Sequence, residues 1–413
     1  MANTIKKIKA REILDSRGNP TIEVELTTEG GAFVASVPSG ASTGKYEAVE
    51  LRDEDDRYMG KGVLQAVRNV NEEISSKLIG MEVSNQVEVD QFLIDLDGTH
   101  NKSILGANAI LAVSMAVCRA AASEKKIPLY KYIKELSKDF AKDSLPYPSF
   151  NIINGGAHAG NSLDIQEFMI IPQENLFFEN LRIASEVYHN LKKVLLEKYG
   201  KDSINVGDEG GFAPPLNNSK EALDLIMLAI DKAGYIGKVK LALDCAASEF
   251  FKGDKYLYED KEMTGKEMVE VYQGLIEEYP LISIEDPFDQ DDLESWTEMT
   301  KVLGDKISII GDDLLVTNIE KIKQAKEVEA CNGLLLKINQ IGTVSESLEA
   351  ARMARSFGWK IMVSHRSGET TDSFIADLSA GIGSEFIKSG AATRGERVVK
   401  YNRLMKIEDE IKR

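Results

Sequence analysis

Six apolar stretches of this chain each end on an ionisable side chain. They are 240–244, 281–285, 307–312, 333–337, 360–365 and 385–388, so their last residues read Asp244, Glu285, Asp312, Lys337, His365 and Lys388 in chain order. An ammonium at the end of Leu334-Leu335-Leu336 is costly if buried, and a lone strand-end lysine usually snorkels to solvent. Three acids followed by Lys, His and Lys form a different pattern. Converging carboxylates supply hard oxygen donors and, with no metal-spaced Cys or His, suit Mg²⁺ better than Zn²⁺. A lysine beside such a cation and a second ammonium is expected to have a lowered pKa and to act as a base. Salt bridges from Lys337 and Lys388 to the acids are the competing arrangement. Asp286 and Asp313 are rival ligands, although strand alternation points them the other way.

Further segments carry polar groups on small-residue loops. Residues 205–214 place Asp208 and Glu209 among glycines, where backbone can approach a ligand closely. Gln166 and Glu167 open a short strand, and His158 sits within Asn154-Gly155-Gly156-Ala157-His158-Ala159-Gly160. Residues 364–370 group Arg366 and Ser367 with Gly368, a combination suited to phosphate. The run 38–44, which contains Ser42, has the composition of a mobile lid or a plain linker. Taken singly, solvated loop charges and a structural histidine are the ordinary outcomes for these residues.

The elements that must position these groups follow from periodicity. Residues 4–37 predict three antiparallel strands turning at Gly30-Gly31, and helices are expected at 63–78, 87–96 (capped by Ser84), 107–122 and 129–136. This gives an α+β N-terminal domain, 1–138, with a linker over 139–148. Beyond it, short apolar strands and amphipathic helices alternate at intervals of roughly 25 to 40 residues, the rhythm of parallel β/α units. With candidate strands at 149–154 and 167–171 the count reaches eight, which predicts a closed β/α barrel over 139–413 whose strand ends meet at one mouth. Inward-facing Asp244 and Glu285 then send Leu241, Leu243, Ile282 and Ile284 toward the helices.

Composition narrows the function classes. Of 413 residues, 43% are hydrophobic and 28% charged, as in ordinary globular proteins. The net charge of −17 disfavours nucleic acid and anionic membrane as partners, and requires an anionic substrate to be held by local cations or metal. Cys118, Cys245 and Cys331 are odd in number and widely spaced, which argues for a reducing cytoplasmic setting without disulfides or zinc. No cleaved signal peptide and no membrane span are expected. Gly40–Tyr46 falls short of a Walker sequence, and Gly381-Ile382-Gly383 lacks the third glycine of a dinucleotide fingerprint.

Several motifs resemble the enolase family, the phosphopyruvate hydratases, nearly end to end. They are Asp15-Ser16-Arg17-Gly18-Asn19-Pro20-Thr21, residues 39–44, 207–211, Glu285-Asp286-Pro287, Gly311-Asp312-Asp313, 335–340 and 364–370. The short 391–397 run and the overall length look closer to archaeal members. Cys245, Leu315 and Thr371 depart from the usual pattern without touching an implied catalytic position. The resemblance implies reversible dehydration of 2-phospho-D-glycerate to phosphoenolpyruvate through an enolate intermediate. It also implies an α/β fold whose barrel begins ββαα, where the eight-unit count expects even repeats. Lys337 would take the C2 proton; Glu209, assisted by Glu167, would help the C3 hydroxyl leave. Asp244, Glu285 and Asp312 would bind one Mg²⁺, with Ser42 reaching a second that joins with substrate. Arg366 and Ser367 would take the phosphate, Lys388 the carboxylate side, and His158 would close over the ligand, with Gln166 and His365 alongside. A lysine base with one or two Mg²⁺, the pattern of enolase-superfamily sites, is what the resemblance implies here. A homo-oligomer, dimer or octamer, is implied too, and a secondary cell-surface pool is compatible with the sequence. A superfamily dehydratase or racemase acting on an unphosphorylated acid is the rival enzyme, disfavoured by Arg366-Ser367 and the lid. A catalytically silent binding protein is disfavoured because Lys337, Glu209 and the carboxylates all stand.

Overall fold

A computed structural model describes residues 3–40, 44–138 and 144–412; Ser42 and the 139–143 part of the expected linker lie outside the described residues. Strands β1 (Lys7–Leu14), β2 (Pro20–Thr28) and β3 (Gly31–Ser36) form an antiparallel sheet in the order β1-β2-β3. Period-two alternation along β2 buries Ile22, Val24 and Leu26 on one face. The helix Ala107–Glu124 packs against β2 and β3 and is buried on almost every side, which its run of small apolar residues permits. The helix predicted after Ser84 spans Gln86–Asp97, and Asn85 caps it instead, accepting the Glu88 N–H. Asn at that position satisfies an otherwise orphaned first-turn donor.

The second part is a closed eight-stranded barrel, ordered β10-β11-β12-β13-β14-β4-β5-β6 around the ring. Its strands are β4 (Tyr147–Asn154), β5 (Glu167–Pro172), β6 (Val239–Asp244), β10 (Leu281–Glu285), β11 (Ser308–Gly311), β12 (Gly333–Leu336), β13 (Lys360–Ser364) and β14 (Phe386–Lys388). Between β6 and the helix Gly265–Glu278, a small antiparallel sheet intervenes: β7 (Phe251–Lys252), β8 (Lys255–Tyr258) and β9 (Lys261–Met263). Strand β5 runs antiparallel to both neighbours, and the helices Phe177–Tyr199 and Ser219–Lys232 precede β6. The barrel thus begins ββαα, not with the even repeats that counting alone suggested.

Alternation sorts the strand residues into two apolar layers. Met169, Ile171, Ala242, Ile310, Leu335, Met362 and Phe386 fill the interior, while Leu241, Leu243, Ile284, Leu334 and Leu336 belong to the core under the helices. Ile282 departs from the expected outward position and packs against the interior cluster. The β10–β6 register shifts between Leu281 and Ser283, and such an irregularity re-aims a side chain. No described helix is long and apolar enough to cross a membrane.

Candidate active site

Inward parity carries to the strand ends or just past them. Asp312 follows Ile310, Lys337 follows Leu335 and Lys388 follows Phe386, so all three project above the apolar floor at the barrel mouth. One pocket there is lined by His158, Gln166, Glu167, Glu209, Asp244, Asp312, Lys337, His365, Arg366, Ser367 and Lys388. Glu285 stands behind that lining, against Lys388. His365 lies one residue beyond the inward Ser364 and reaches the pocket because the chain leaves the strand there.

Three carboxylates meet one ammonium. Lys388 Nζ lies 2.7 Å from Asp244 Oδ2, 3.0 Å from both oxygens of Glu285 and 3.2 Å from Glu167 Oε1. Burial alone would pull this ammonium down, but Asp244, Glu167 and Glu285 outweigh it and hold its pKa well above the usual lysine value. Lys337 donates to Asp312 in the same way, and its pKa also lies above the ordinary value because Asp312 overcomes the cost of burial. The expected lowering at Lys337 is therefore not produced by the protein groups alone. Asp312 faces it directly, and Lys388 repels it less than Asp312 attracts it.

The donor set fits a hard divalent cation. Asp244, Glu285 and Asp312 offer only carboxylate oxygens, and burial with the neighbouring Asp244 charge pushes Glu285 well above the carboxylate range. A cation relieves that crowding, and the Lys388 ammonium marks a point where one is held. Among the described residues, the triads bringing ligand atoms within 4.8 Å of one another are Asp286/Asp312/Asp313 and His158/Glu167/Glu209. Asp244, Glu285 and Asp312 do not gather so tightly, since one lysine lies between the first two and another takes the third. Asp286 is already engaged, accepting the N–H groups of Asp312 and Asp313 at 2.7 and 2.9 Å. Burial and Asp312 push Asp313 up to about 7.

A second cluster faces this one. Glu167 opens the reversed strand β5, so the start of that strand, not its end, reaches the mouth. His158 Nδ1 lies 3.9 Å from Glu167 Oε1 and 3.7 Å from Glu209 Oε1, and Asn151 Nδ2 donates to Glu209 Oε2 at 3.0 Å. His158 Nδ1 and Glu167 Oε2 are buried without a hydrogen-bond partner, two polar atoms left for a ligand. Burial and the Glu209 charge raise Glu167; burial acts on Glu209 too, but the surrounding His365, His158, Arg397 and Lys388 side chains outweigh it and hold Glu209 below the usual carboxylate range.

The third cluster is cationic. Arg366 donates to Glu47 and, at 3.0 Å, to Asn339 Oδ1, while Ser367 Oγ accepts from Arg17 Nη1 at 3.2 Å. The start of the 38–44 run pairs with this loop, since Ser39 and Gly368 exchange backbone hydrogen bonds at 2.7 and 2.9 Å. Gly368 is required there, because a Cβ would come within 2.4 Å of Asp15 Oδ2. The Asp15–Pro20 turn docks on the same loop through Ser16 N–H to Glu369 O at 2.7 Å. Glu47 and Arg397 escaped the sequence reading. Glu47 had only its closeness to Gly44 to mark it, and Arg397 had no local signal.

Comparison with known proteins identifies the grouping. Residues 5–133 match the family model "Enolase, N-terminal domain" and residues 142–413 match "Enolase, C-terminal TIM barrel domain". The chain belongs to the enolase family. It is 55% identical to an enolase of Methanocaldococcus jannaschii over 98% of this chain and 95% of that protein. An enolase of Mastigamoeba balamuthi is 54% identical over 99% of this chain and 96% of its own length. The resemblance carried by the sequence motifs thus extends over the whole chain, and the acidic clusters at the mouth accord with an enolase's need for divalent metal.

Proposed function

We infer that this chain is a phosphopyruvate hydratase, dehydrating 2-phospho-D-glycerate to phosphoenolpyruvate, and that the barrel mouth is where it does so. The observation that carries the reading is the presence, in one pocket, of Lys337, Arg366 and the Glu167/Glu209 pair. Lys337 Nζ, once deprotonated, takes the proton from C2. The Glu167/Glu209 pair holds one proton and delivers it to the departing C3 hydroxyl, with Glu209 as the donor and Glu167 its source. Arg366 and Ser367 bind the phosphate, and Lys388 turns its ammonium to the substrate carboxylate. Gln166 and His365 line the ligand, and His158 excludes water above it.

Asp244, Glu285 and Asp312 would hold Mg²⁺, and Ser42 would be a ligand for a second ion that joins with substrate. A bound divalent cation supplies Lewis-acid stabilisation of the charge that builds on the substrate carboxylate as the C2 proton leaves. Residues 1–138 supply the lid and 139–413 the catalytic barrel. Assembly into a homo-oligomer and a cytoplasmic location complete the proposal; mass photometry distinguishes dimer from octamer.

The test is to mix the protein with 2-phosphoglycerate and follow the ultraviolet absorbance of the enol product with and without Mg²⁺. Metal-dependent absorbance growth is expected. A flat trace with metal, or turnover of unphosphorylated 2-hydroxy acids instead, would sink the reading.

A further inference from the structure

We propose that Arg397 is a positioning residue that fixes His365 as the neutral tautomer protonated on Nε2, and that latches the phosphate loop to the loop carrying Glu209. Arg397 lies in the first turn of the helix Gly395–Ile411 and is fully buried. All four terminal N–H positions of its guanidinium have partners. Nη1 lies 2.6 Å from His365 Nδ1 and donates to Arg366 O at 2.8 Å. Nη2 donates to Ser367 O at 2.6 Å and to Asp208 O at 3.0 Å.

A guanidinium has donors and no acceptor. The Arg397–His365 contact therefore requires a lone pair on Nδ1, and a neutral imidazole with that lone pair carries its proton on Nε2. The ring is deeply buried, and Arg397, Lys388 and Lys337 all oppose a second proton, while Glu209 favours one. Nε2 lies 3.6 Å from Glu209 Oε2, so the N–H faces the carboxylate and the pocket beside it. In the other tautomer a lone pair would oppose that carboxylate. His365 is thus a hydrogen-bond donor to an anion in the pocket and not a base. The three carbonyls on Arg397 come from Arg366, Ser367 and Asp208, so the phosphate-binding backbone and the acid-bearing loop share one anchor.

The tautomer stands independently of the functional reading, whereas the effect on turnover rests on it. The chain has four histidines, so ¹⁵N-histidine labelling with long-range ¹H–¹⁵N correlation resolves each ring, and His365→Gln identifies the relevant signals. In the unmodified protein at neutral pH, His365 is expected to be neutral with the proton on Nε2. Arg397→Met removes every donor; it should give a mixed tautomer and lower kcat about 10–100-fold, the range seen when a partner orienting a functional histidine is lost, with KM changed much less. Arg397→Lys restores one donor and should recover the Nε2–H tautomer and part of the lost rate. A wild-type His365 protonated on Nδ1 or on both nitrogens overturns the proposal. So does Arg397→Met with an unchanged tautomer. If Arg397→Met does not fold, the wild-type ring and the Lys variant decide the matter. An Nε2–H ring in a protein that does not turn over 2-phosphoglycerate supports the positioning role and removes the functional reading instead.

Discussion

Glu47 grips Arg366 by both ends of its guanidinium: Nη1 donates to Oε2 at 2.9 Å and Nη2 to Oε1 at 3.1 Å. Both side chains are 5% exposed, and Glu47 Oε1 also accepts the Gly44 N–H at 2.9 Å, at the end of the 38–44 run. A phosphate reaching Arg366 has to share the guanidinium with this carboxylate. Glu47→Gln should therefore lower the melting temperature of the free protein, because it breaks a buried ion pair. It should also tighten inorganic phosphate binding about tenfold, equivalent to about 1.4 kcal/mol of relieved repulsion. Thermal shift with increasing phosphate measures both, and an identical phosphate response in variant and parent would refute the idea of a shared guanidinium.

Roles at the reacting carbon separate by isotope exchange. Lys337→Ala should abolish exchange of the C2 proton of 2-phosphoglycerate with solvent deuterium, and Glu209→Gln should keep exchange while stopping dehydration. Each loss is expected to be at least about 10²-fold, the lower bound for a positioned acid or base. Nuclear magnetic resonance of the substrate reads exchange and absorbance reads dehydration. Loss of exchange in both variants would undo the division of labour.

The carboxylates around Lys388 predict the metal response. Titration calorimetry with Mg²⁺ alone should show binding that weakens at least about tenfold in Glu285→Gln, since ligand charge sets affinity at oxygen sites. At a hundredfold excess over Kd the ion should add about 2.7 kcal/mol to the parent's stability. Equal melting shifts in parent and Glu285→Gln would place the ion elsewhere.

Acid should loosen the seam between sheet and barrel. Asp372 accepts from Arg119 Nη1 and Nη2 at 2.7 and 2.6 Å and from the N–H groups of Ser36 and Phe374. Burial would raise this carboxyl, but Arg119 and the backbone donors hold it below the usual aspartate range. A depressed folded-state pKa means stability that is complete above about pH 4, the unfolded value, and is lost as pH falls through the folded one. Asp372→Asn should cost about 3–5 kcal/mol at pH 7 by stranding Arg119, and progressively less below pH 4. A denaturant-melt difference that stays constant across that range would show that Asp372 does not carry it.

Beneath the site, Leu335 points into the barrel two residues before Lys337 and is fully buried. Leu335→Ala should cost about 2–5 kcal/mol in denaturant melts, the usual range for a core cavity. An effect below about 1 kcal/mol would mean that the barrel floor collapses around the gap.

Much of the barrel was readable because period two and strand-end charge are local signals. The stretch Gly333–Lys337 shows its burial, its inward Leu335 and its terminal lysine in five letters. What stayed hidden depends on contacts distant in sequence. Lys337 is held up against burial by Asp312 from the neighbouring strand end, and Ile282 turns inward through an irregularity in the ladder to β6. Arg397 becomes important only when its helix returns beneath residues 365–367. One local feature was present and passed over: Gly253-Asp254 between Phe251-Lys252 and Lys255-Tyr256 is a two-residue hairpin turn, and it joins β7 to β8.

The reversed strand β5 has a consequence for how the molecule assembles. Because β4 and β5 form a hairpin whose bend sits at the mouth, Asn154, His158, Gln166 and Glu167 come together through a short loop with little entropy of closure. The Lys388–Asp244 pair is the opposite case, since its two residues stand 144 positions apart in the chain. Contacts of such separation form slowly and late. The His158–Glu167 corner of the mouth can therefore take shape in a half-folded chain, whereas the Lys388 cluster and the Arg397 anchor of the Glu209 loop arrive with the last strands and helix.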